Sequence, residues 1–124
     1  MELGLVGLGK MGNNMRERMR RAGLTVIGYD RNPEVSDTAS LAELVSKLTG
    51  PRVVWVMLPI QVVGPVIEEL KGLLSAGDLV IDGGNSKWSN DGPHAQSLAE
   101  KGIRFVDVGV SGGVWGLQNG YALM

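Results

Sequence analysis

Short apolar runs rich in β-branched residues alternate along the chain with segments whose apolar residues recur at helical spacing. The apolar runs predict strands at residues 3–6, 25–29, 53–58, 79–81 and 103–108. The run at 53–58 carries almost no polar side chain, as expected for a parallel strand that is covered on both faces. Helices are predicted between the strands, at residues 10–22, 40–48, 65–74 and 90–101. We therefore expect an α/β fold with parallel strands and right-handed crossovers.

Several helix boundaries carry recognisable signals. Ser40 and Glu43 form a capping box at the start of the second helix. Gly23 and Gly102 stand where a glycine often ends a helix. Pro65 is read as lying near the start of the third helix, where a missing N–H group does no harm.

Composition narrows the class of protein. A chain of 124 residues is the size of a single domain. Its 12 basic and 13 acidic residues give a net charge of −1, which argues against a surface for nucleic acid or anionic membrane. The absence of cysteine excludes disulfides, cysteine-ligated zinc and a catalytic thiol, and one histidine excludes a histidine-rich metal site. No signal peptide or membrane span is apparent, so we expect a cytoplasmic protein. We also expect no metal, because the chain has no cysteine and a single histidine.

Glycine is in clear excess. It makes up 19 of the 124 residues, about 15%, against a usual share of about 7%. One group forms the pattern G-x-G-x-x-G between a predicted strand and a predicted helix: Gly7, Leu8, Gly9, Lys10, Met11 and Gly12. In such a turn the first glycine permits the tight bend, the second lets a pyrophosphate approach, and the third lets helix and strand pack closely. The pattern predicts a Rossmann-type, doubly wound, mostly parallel sheet whose first helix holds a dinucleotide at its N-terminus.

The choice of dinucleotide depends on the end of the second predicted strand. Asp30 lies 23 residues after Gly7, where an acidic residue accepts the ribose hydroxyls of NAD. Its charge would repel the 2′-phosphate of NADP, so NAD is favoured. Arg31 leaves NADP open, because an arginine pairs with a 2′-phosphate or stacks on adenine. Alternatively, Arg31 is an ordinary solvated residue on the surface.

Two further glycine clusters follow predicted strands. Asn85 and Ser86 come after the pair Gly83-Gly84, and Ser111 precedes Gly112 and Gly113. Ligands of open α/β sheets bind beyond the carboxyl ends of strands, so these groups are predicted to face the same cleft as the first turn. A serine with two bare amides suits a carboxylate. Ordinary turns remain the alternative for each cluster.

With these residues in view, the chain resembles the cofactor domain of the 6-phosphogluconate dehydrogenase family, within the β-hydroxyacid dehydrogenases. Three motifs carry the resemblance: Gly-Leu-Gly-Lys-Met-Gly at 7–12, Asp-Gly-Gly-Asn-Ser at 82–86 and Gly-Val-Ser-Gly-Gly at 109–113. The following Val114-Trp115-Gly116-Leu117 resembles the shorter bacterial branch, which often uses NAD.

The resemblance implies oxidative decarboxylation of 6-phosphogluconate to ribulose 5-phosphate, in the pentose phosphate pathway. It implies that Asn85 and Ser86 bind substrate, with Asn85 near the nicotinamide, and that Ser111, Gly112 and Gly113 hold the substrate carboxylate. It further implies that Met11, Leu58 and Pro59 line the cofactor cleft, and that Asp30 and Arg31 face the adenosine ribose.

The resemblance also implies parts that these residues lack. The family's catalytic lysine and glutamate would lie beyond Met124, with a helical domain through which family members form homo-oligomers. We therefore expect residues 1–124 to be a single cofactor domain, truncated at its C-terminus and inactive alone. Residues 33–40 are too few for a second crossover helix and strand, so that part of the sheet is expected to be reduced.

Two other functions stay open at this point. One is another β-hydroxyacid dehydrogenase, of the 3-hydroxyisobutyrate type. The other is a dinucleotide-binding module without chemistry, although such a module needs no substrate cradle. His94 falls on a predicted exposed helix and is interpreted as a surface residue.

Overall fold

The structure, a computed structural model, describes residues 2–84, 91–111 and 122–123. The strands are β1 (Glu2–Val6), β2 (Thr25–Tyr29), β3 (Val53–Val56), β4 (Leu79–Asp82), β5 (Arg104–Asp107), β6 (Val110–Ser111) and β7 (Ala122–Leu123). The helices are α1 (Lys10–Arg21), α2 (Leu41–Lys47), α3 (Ile60–Leu73) and α4 (Asp91–Ala99). Sequence analysis predicted β1 to β5 and all four helices in the correct order.

The first five strands form one parallel sheet in the order β2-β1-β3-β4-β5. The strand order reverses direction between β1 and β3, because the chain first moves outward to β2 and then crosses back. Such a switch point opens a crevice at the carboxyl ends of the two strands. The sheet is therefore of the Rossmann type, as predicted. The short strands β6 and β7 pair antiparallel to each other.

Helices cover both faces of the sheet, which explains the apolar strands. On one face, Val54, Val56 and Val80 are fully buried in a cluster that includes side chains of α2, α3 and α4. On the other face, Leu5 and Val26 lie in a second cluster with residues of α1 and the adjoining loops. The first face of the central strands β3 and β4 is fully buried and the second face is partly buried, and this favours the β-branched residues found there.

The segment 30–40, which the structure describes in full, holds neither helix nor strand. It covers the outer edge of β2 through Asp37. The Gly28 N–H group donates to Asp37 Oδ2 at 2.7 Å, and Arg16 and Arg20 pair with the same oxygen at 3.2 and 2.7 Å. Burial raises the pKa of Asp37, but the Gly28 hydrogen bond and the two arginines outweigh it and hold the pKa below its usual range. The expected reduction of the sheet is thus confirmed.

Two element boundaries differ from the predictions. Helix α3 begins at Ile60, five residues before Pro65, with Pro59 as its N-cap. Pro65 therefore lies inside the helix, where its ring removes one backbone hydrogen bond. Strand β3 ends at Val56, since the chain must turn into α3 at Pro59.

His94 is also placed differently from the prediction. It is half-buried, its ring meets Phe105 edge-on at 6.3 Å, and its Nδ1 atom is buried with no hydrogen-bond partner among the described residues. The side chain is thus less exposed than predicted, because α4 packs part of its ring against Phe105 of β5. In the described part of the chain, no helix has the length and apolar character needed to cross a membrane.

Candidate functional site

The candidate site lies where the carboxyl ends of β1, β2, β3 and β4 meet. The backbone itself ties these ends together. The Gly7 N–H group donates to the Tyr29 carbonyl at 2.9 Å, and Met57 N–H donates to the Val6 carbonyl at 2.7 Å. The Gly83 N–H group donates to the Val56 carbonyl at 2.8 Å. The glycine-rich turn, the loop before α3 and the start of the Gly83-Gly84 cluster therefore share one edge of the sheet, as predicted.

The first and third glycines of the turn are required by the fold itself. Gly7 has a φ of +97°, and a Cβ there would lie 2.3 Å from the Met57 carbonyl oxygen. A Cβ on Gly12 would lie 2.0 Å from the Gly7 carbonyl oxygen. Both distances are far inside van der Waals contact, so neither position accepts a side chain without backbone movement.

The second glycine, Gly9, has no such reason within the part of the chain that the structure describes. Its φ of −65° is ordinary for any residue, and a Cβ there would meet no atom of the described residues within 4 Å. Gly9 is the N-cap of α1, yet no side chain caps the helix and no acidic residue lies in its first turn. The first helical hydrogen bond runs from Asn13 N–H to the Gly9 carbonyl at 2.8 Å, so the preceding N–H groups have no intrahelical partner.

These features fit the phosphates of a dinucleotide. An uncapped helix N-terminus presents free N–H groups and a partial positive charge to an anion. A glycine that the protein does not need leaves the space that a pyrophosphate would fill. Lys10 is exposed and Met11 half-buried beside this space.

Asp30 follows β2 and is bound to the turn. Its Oδ2 accepts a hydrogen bond from Leu8 N–H at 2.7 Å, and its Oδ1 accepts one from Asn32 N–H at 2.9 Å. Each carboxylate oxygen accepts up to two hydrogen bonds, so both can still accept one from a ligand. The two bonds therefore fix the direction of the carboxylate without exhausting it. Arg31 beside it is exposed.

A cleft of about 380 Å³ runs from the turn past Asp30 and along α3. Its residues come from the ends of β1 and β2, from α2 and from α3: Val6, Gly7, Tyr29, Asp30, Arg31, Leu41, Leu58, Gln61, Val62, Pro65, Val66 and Glu69. Sequence analysis predicted four of these as site residues, namely Gly7, Asp30, Arg31 and Leu58. The α3 residues of the cleft are not among the predicted site residues, because the sequence predicts a helix only from Pro65 and no element at residues 60–64.

The cluster after β4 packs closely against the same edge. Asp82 is fully buried and accepts a hydrogen bond from Gly84 N–H at 3.0 Å. A Cβ on Gly83 would lie 2.3 Å from Trp55 Nε1, and one on Gly84 would lie 2.4 Å from the Leu58 carbonyl oxygen. Close packing of the protein against itself therefore accounts for this glycine pair.

The predicted substrate residues lie mostly outside the described part of the chain. Asn85, Ser86, Gly112 and Gly113 belong to the ranges that are left out of the description. Ser111 is the last residue of β6. Pro59 is the N-cap of α3 and is exposed. Within the described ranges, no group of three or more acidic or histidine side chains could hold a metal ion.

Comparison with known proteins identifies the family. The family model described as the NAD binding domain of 6-phosphogluconate dehydrogenase matches residues 2–124. The chain belongs to this family. It is 38% identical over 138 residues to 6-phosphogluconate dehydrogenase of Haemophilus ducreyi, covering 99% of this chain and 28% of the relative. It is 37% identical to YqeC of Bacillus subtilis, whose assignment to the same activity is provisional, covering 100% of this chain and 45% of YqeC. The chain thus spans less than half the length of either relative.

Solved structures agree with the family assignment. The chain superposes on 6-phosphogluconate dehydrogenase of Plasmodium falciparum, a protein studied with NADP+ and with 6-phosphogluconate, with a TM-score of 0.92 and 27% identity. That match covers 100% of this chain and 30% of the other. A 3-hydroxyisobutyrate dehydrogenase of Mycobacterium tuberculosis matches with a TM-score of 0.83 and 26% identity, over 93% of this chain and 42% of the other. The chain is therefore an NAD(P)-binding domain of the oxidoreductase type.

Proposed function

We propose that this chain is the cofactor domain of a dehydrogenase that oxidises and decarboxylates 6-phosphogluconate, with NAD as the preferred cofactor. One observation carries the proposal. Gly9 is the N-cap of α1, where no side chain of the described residues caps the helix and none of the described atoms would lie within 4 Å of an added Cβ. The family relationship supplies the substrate, since the relatives named above include 6-phosphogluconate dehydrogenases.

In this proposal, different residues at this edge of the sheet bind different parts of the cofactor. The N–H groups around Gly9, Lys10 and Met11 bind the pyrophosphate, while Asp30 accepts ribose hydroxyls. Leu58 and Pro59 border the cofactor on the α3 side. The bound nicotinamide supplies a hydride acceptor, and this chain's residues hold it against the substrate.

The substrate would bind beyond the other two glycine clusters. Asn85 and Ser86 would bind substrate hydroxyls, with Asn85 also contacting the cofactor, and Ser111, Gly112 and Gly113 would bind the carboxylate. The family's catalytic lysine and glutamate would come from a helical domain beyond Met124, through which the protein would pair with a second copy. Coverage of 45% of YqeC against 28% of the Haemophilus ducreyi enzyme shows that YqeC is the shorter relative, which is consistent with a short NAD-using branch.

An activity assay tests this function. A protein that contains these residues and those that follow Met124 should reduce NAD with 6-phosphogluconate and release carbon dioxide, whereas residues 1–124 alone should not. Reduction of NAD with 3-hydroxyisobutyrate and not with 6-phosphogluconate would assign the other dehydrogenase type, which the Mycobacterium tuberculosis match keeps as the second candidate. NAD binding without turnover of either acid would indicate a binding module.

The cofactor preference leads to a prediction at Asp30. Asp30→Asn should raise the affinity for NADP relative to NAD by about tenfold, because the charge that repels a 2′-phosphate is lost. The amide has one oxygen for the Leu8 and Asn32 N–H groups, so the variant should also lose about 1 kcal/mol of stability. Calorimetric titration with both cofactors measures the ratio. Glu17→Gln, on the exposed face of α1, is the charge-matched control. An unchanged ratio in Asp30→Asn would refute the role of Asp30.

A further inference from the structure

The cleft continues well past Asp30 along one face of α3. Gln61, Pro65 and Glu69 are spaced four residues apart, so they lie one above another on that face. Gln61 and Glu69 are about 12 Å apart along the helix axis, given a rise of 1.5 Å per residue. Val62 and Val66 run beside them and make the floor apolar. This stretch has the length and the surface for a nucleoside lying flat.

Glu69 is the acidic group at the far end of this stretch. Its side chain is exposed and forms no hydrogen bond or ion pair with the described residues. Its neighbours on the helix are engaged elsewhere, because Glu68 accepts a hydrogen bond from Ser97 Oγ at 2.8 Å and Lys71 pairs with Glu100 at 2.9 Å. Of these side chains, Glu69 is the one that lines the cleft.

We propose that Glu69 selects the adenine base, by accepting a hydrogen bond from its exocyclic 6-amino group. This inference rests on the proposed function, which sets the order of the ligand along the cleft: pyrophosphate at Gly9, ribose at Asp30 and the base beyond. A carboxylate accepts hydrogen bonds and donates none. Adenine presents a 6-amino donor, whereas hypoxanthine presents a carbonyl oxygen at the same position. The carboxylate attracts the first and repels the second.

A base-substituted cofactor tests the proposal on this chain. NAD and nicotinamide hypoxanthine dinucleotide are titrated calorimetrically into the native chain, Glu69→Gln and Glu68→Gln. The native chain should bind the hypoxanthine analogue about tenfold more weakly than NAD, the size expected for one hydrogen bond to a charged group. Glu69→Gln should reduce the difference to about threefold or less, because an amide both donates and accepts. Glu68→Gln, one residue away and outside the cleft, should keep the native ratio.

The two hypotheses fail in different ways. If Glu69→Gln binds NAD and keeps the native ratio, Glu69 does not select the base and the proposed function stands. If the native chain binds neither dinucleotide, the proposed function is refuted and this inference with it. A native chain that binds both equally also refutes the role of Glu69.

Discussion

Gly9→Ala is expected to weaken NAD binding by about 100-fold and to leave the stability of the domain nearly unchanged. The new methyl group would meet no atom within 4 Å among residues 2–84, 91–111 and 122–123, but it would occupy the space through which a pyrophosphate approaches the N-terminus of α1. Loss of one or two hydrogen bonds to a charged phosphate accounts for an effect of this size. The backbone at Gly9 is ordinary, and the poorer N-cap of alanine is offset by its lower entropy in the unfolded chain.

The contrast with other glycines separates binding from folding. Gly12→Ala forces a Cβ to 2.0 Å from the Gly7 carbonyl, so it should lower the free energy of unfolding by about 1–3 kcal/mol as well as disturb binding. Gly72 lies in α3, and a Cβ there would meet none of the described residues within 4 Å. Gly72→Ala should therefore leave the NAD affinity unchanged and should not lower the free energy of unfolding. Urea unfolding and NAD titration of the three variants give both quantities. Native NAD affinity in Gly9→Ala would show that no pyrophosphate passes over this residue.

Asp78→Asn is expected to lower the free energy of unfolding by about 3 kcal/mol. Asp78 is only 2% exposed and holds the loop before β4 against the start of β3. Its Oδ1 accepts from Arg52 N–H at 2.7 Å, and its Oδ2 accepts from Ser75 N–H at 2.8 Å and pairs with the Arg52 guanidinium at 3.1 Å. Removing one partner of such a buried pair leaves the other charge poorly compensated. The partial exposure of Arg52 sets the estimate at the low end of the usual range.

The same substitution has a defined pH dependence. Burial raises the pKa of Asp78, but the two backbone N–H groups and Arg52 outweigh it and hold the pKa below the ordinary value of 3.8. A lowered pKa means that the carboxylate contributes its full stability above the unfolded pKa and loses it as the pH falls through the folded pKa. The stability difference between the native chain and Asp78→Asn should therefore be constant near neutral pH and shrink below about pH 4.

Chemical denaturation at several pH values measures this difference. Glu100→Gln is the control, because Glu100 pairs with Lys71 on the surface and is 64% exposed, so its loss should cost less than about 1 kcal/mol. Equal effects of the two substitutions at neutral pH would contradict the structural role given to Asp78.

Much of the fold was predictable because the chain's local signals agree with one another. The fully apolar run at 53–58 and the capping box at Ser40 and Glu43 each correspond to an element of the structure, and Glu43 N–H donates to Ser40 Oγ at 3.1 Å. The start of α3 was not predictable from Pro65, because a proline is compatible with the first turn of a helix and is also tolerated, at a cost, within one. In the structure, α3 extends to both sides of Pro65 and buries Val63, Ile67 and Leu70. This burial depends on packing against the sheet, which a local sequence signal does not show.

The causes of the glycines were predicted for the first turn but not for the pair after β4. A tight bend at Gly7 and close packing at Gly12 are predicted and confirmed, whereas the pair Gly83-Gly84 is predicted to face a ligand cleft. In the structure, Gly7, Gly12, Gly83 and Gly84 are required because the chain approaches itself within 2.0–2.4 Å of where a Cβ would be. For the pair Gly83-Gly84, contacts between distant segments reveal the cause, as with Gly84 beside the Leu58 carbonyl. Gly9 alone in the first turn is left for the ligand to explain.

We expect NAD to bind from the N-terminus of α1 at Gly9, past Asp30, and along the cleft beside α3. The most direct test is titration of the ¹⁵N-labelled chain with NAD, followed by NMR of the backbone amides. We predict that the largest shifts fall on residues 7–12, on Asp30 and Arg31, and on residues 58–69. Shifts confined to the outer face of α1 around Glu17, or no shifts at millimolar NAD, would contradict the account.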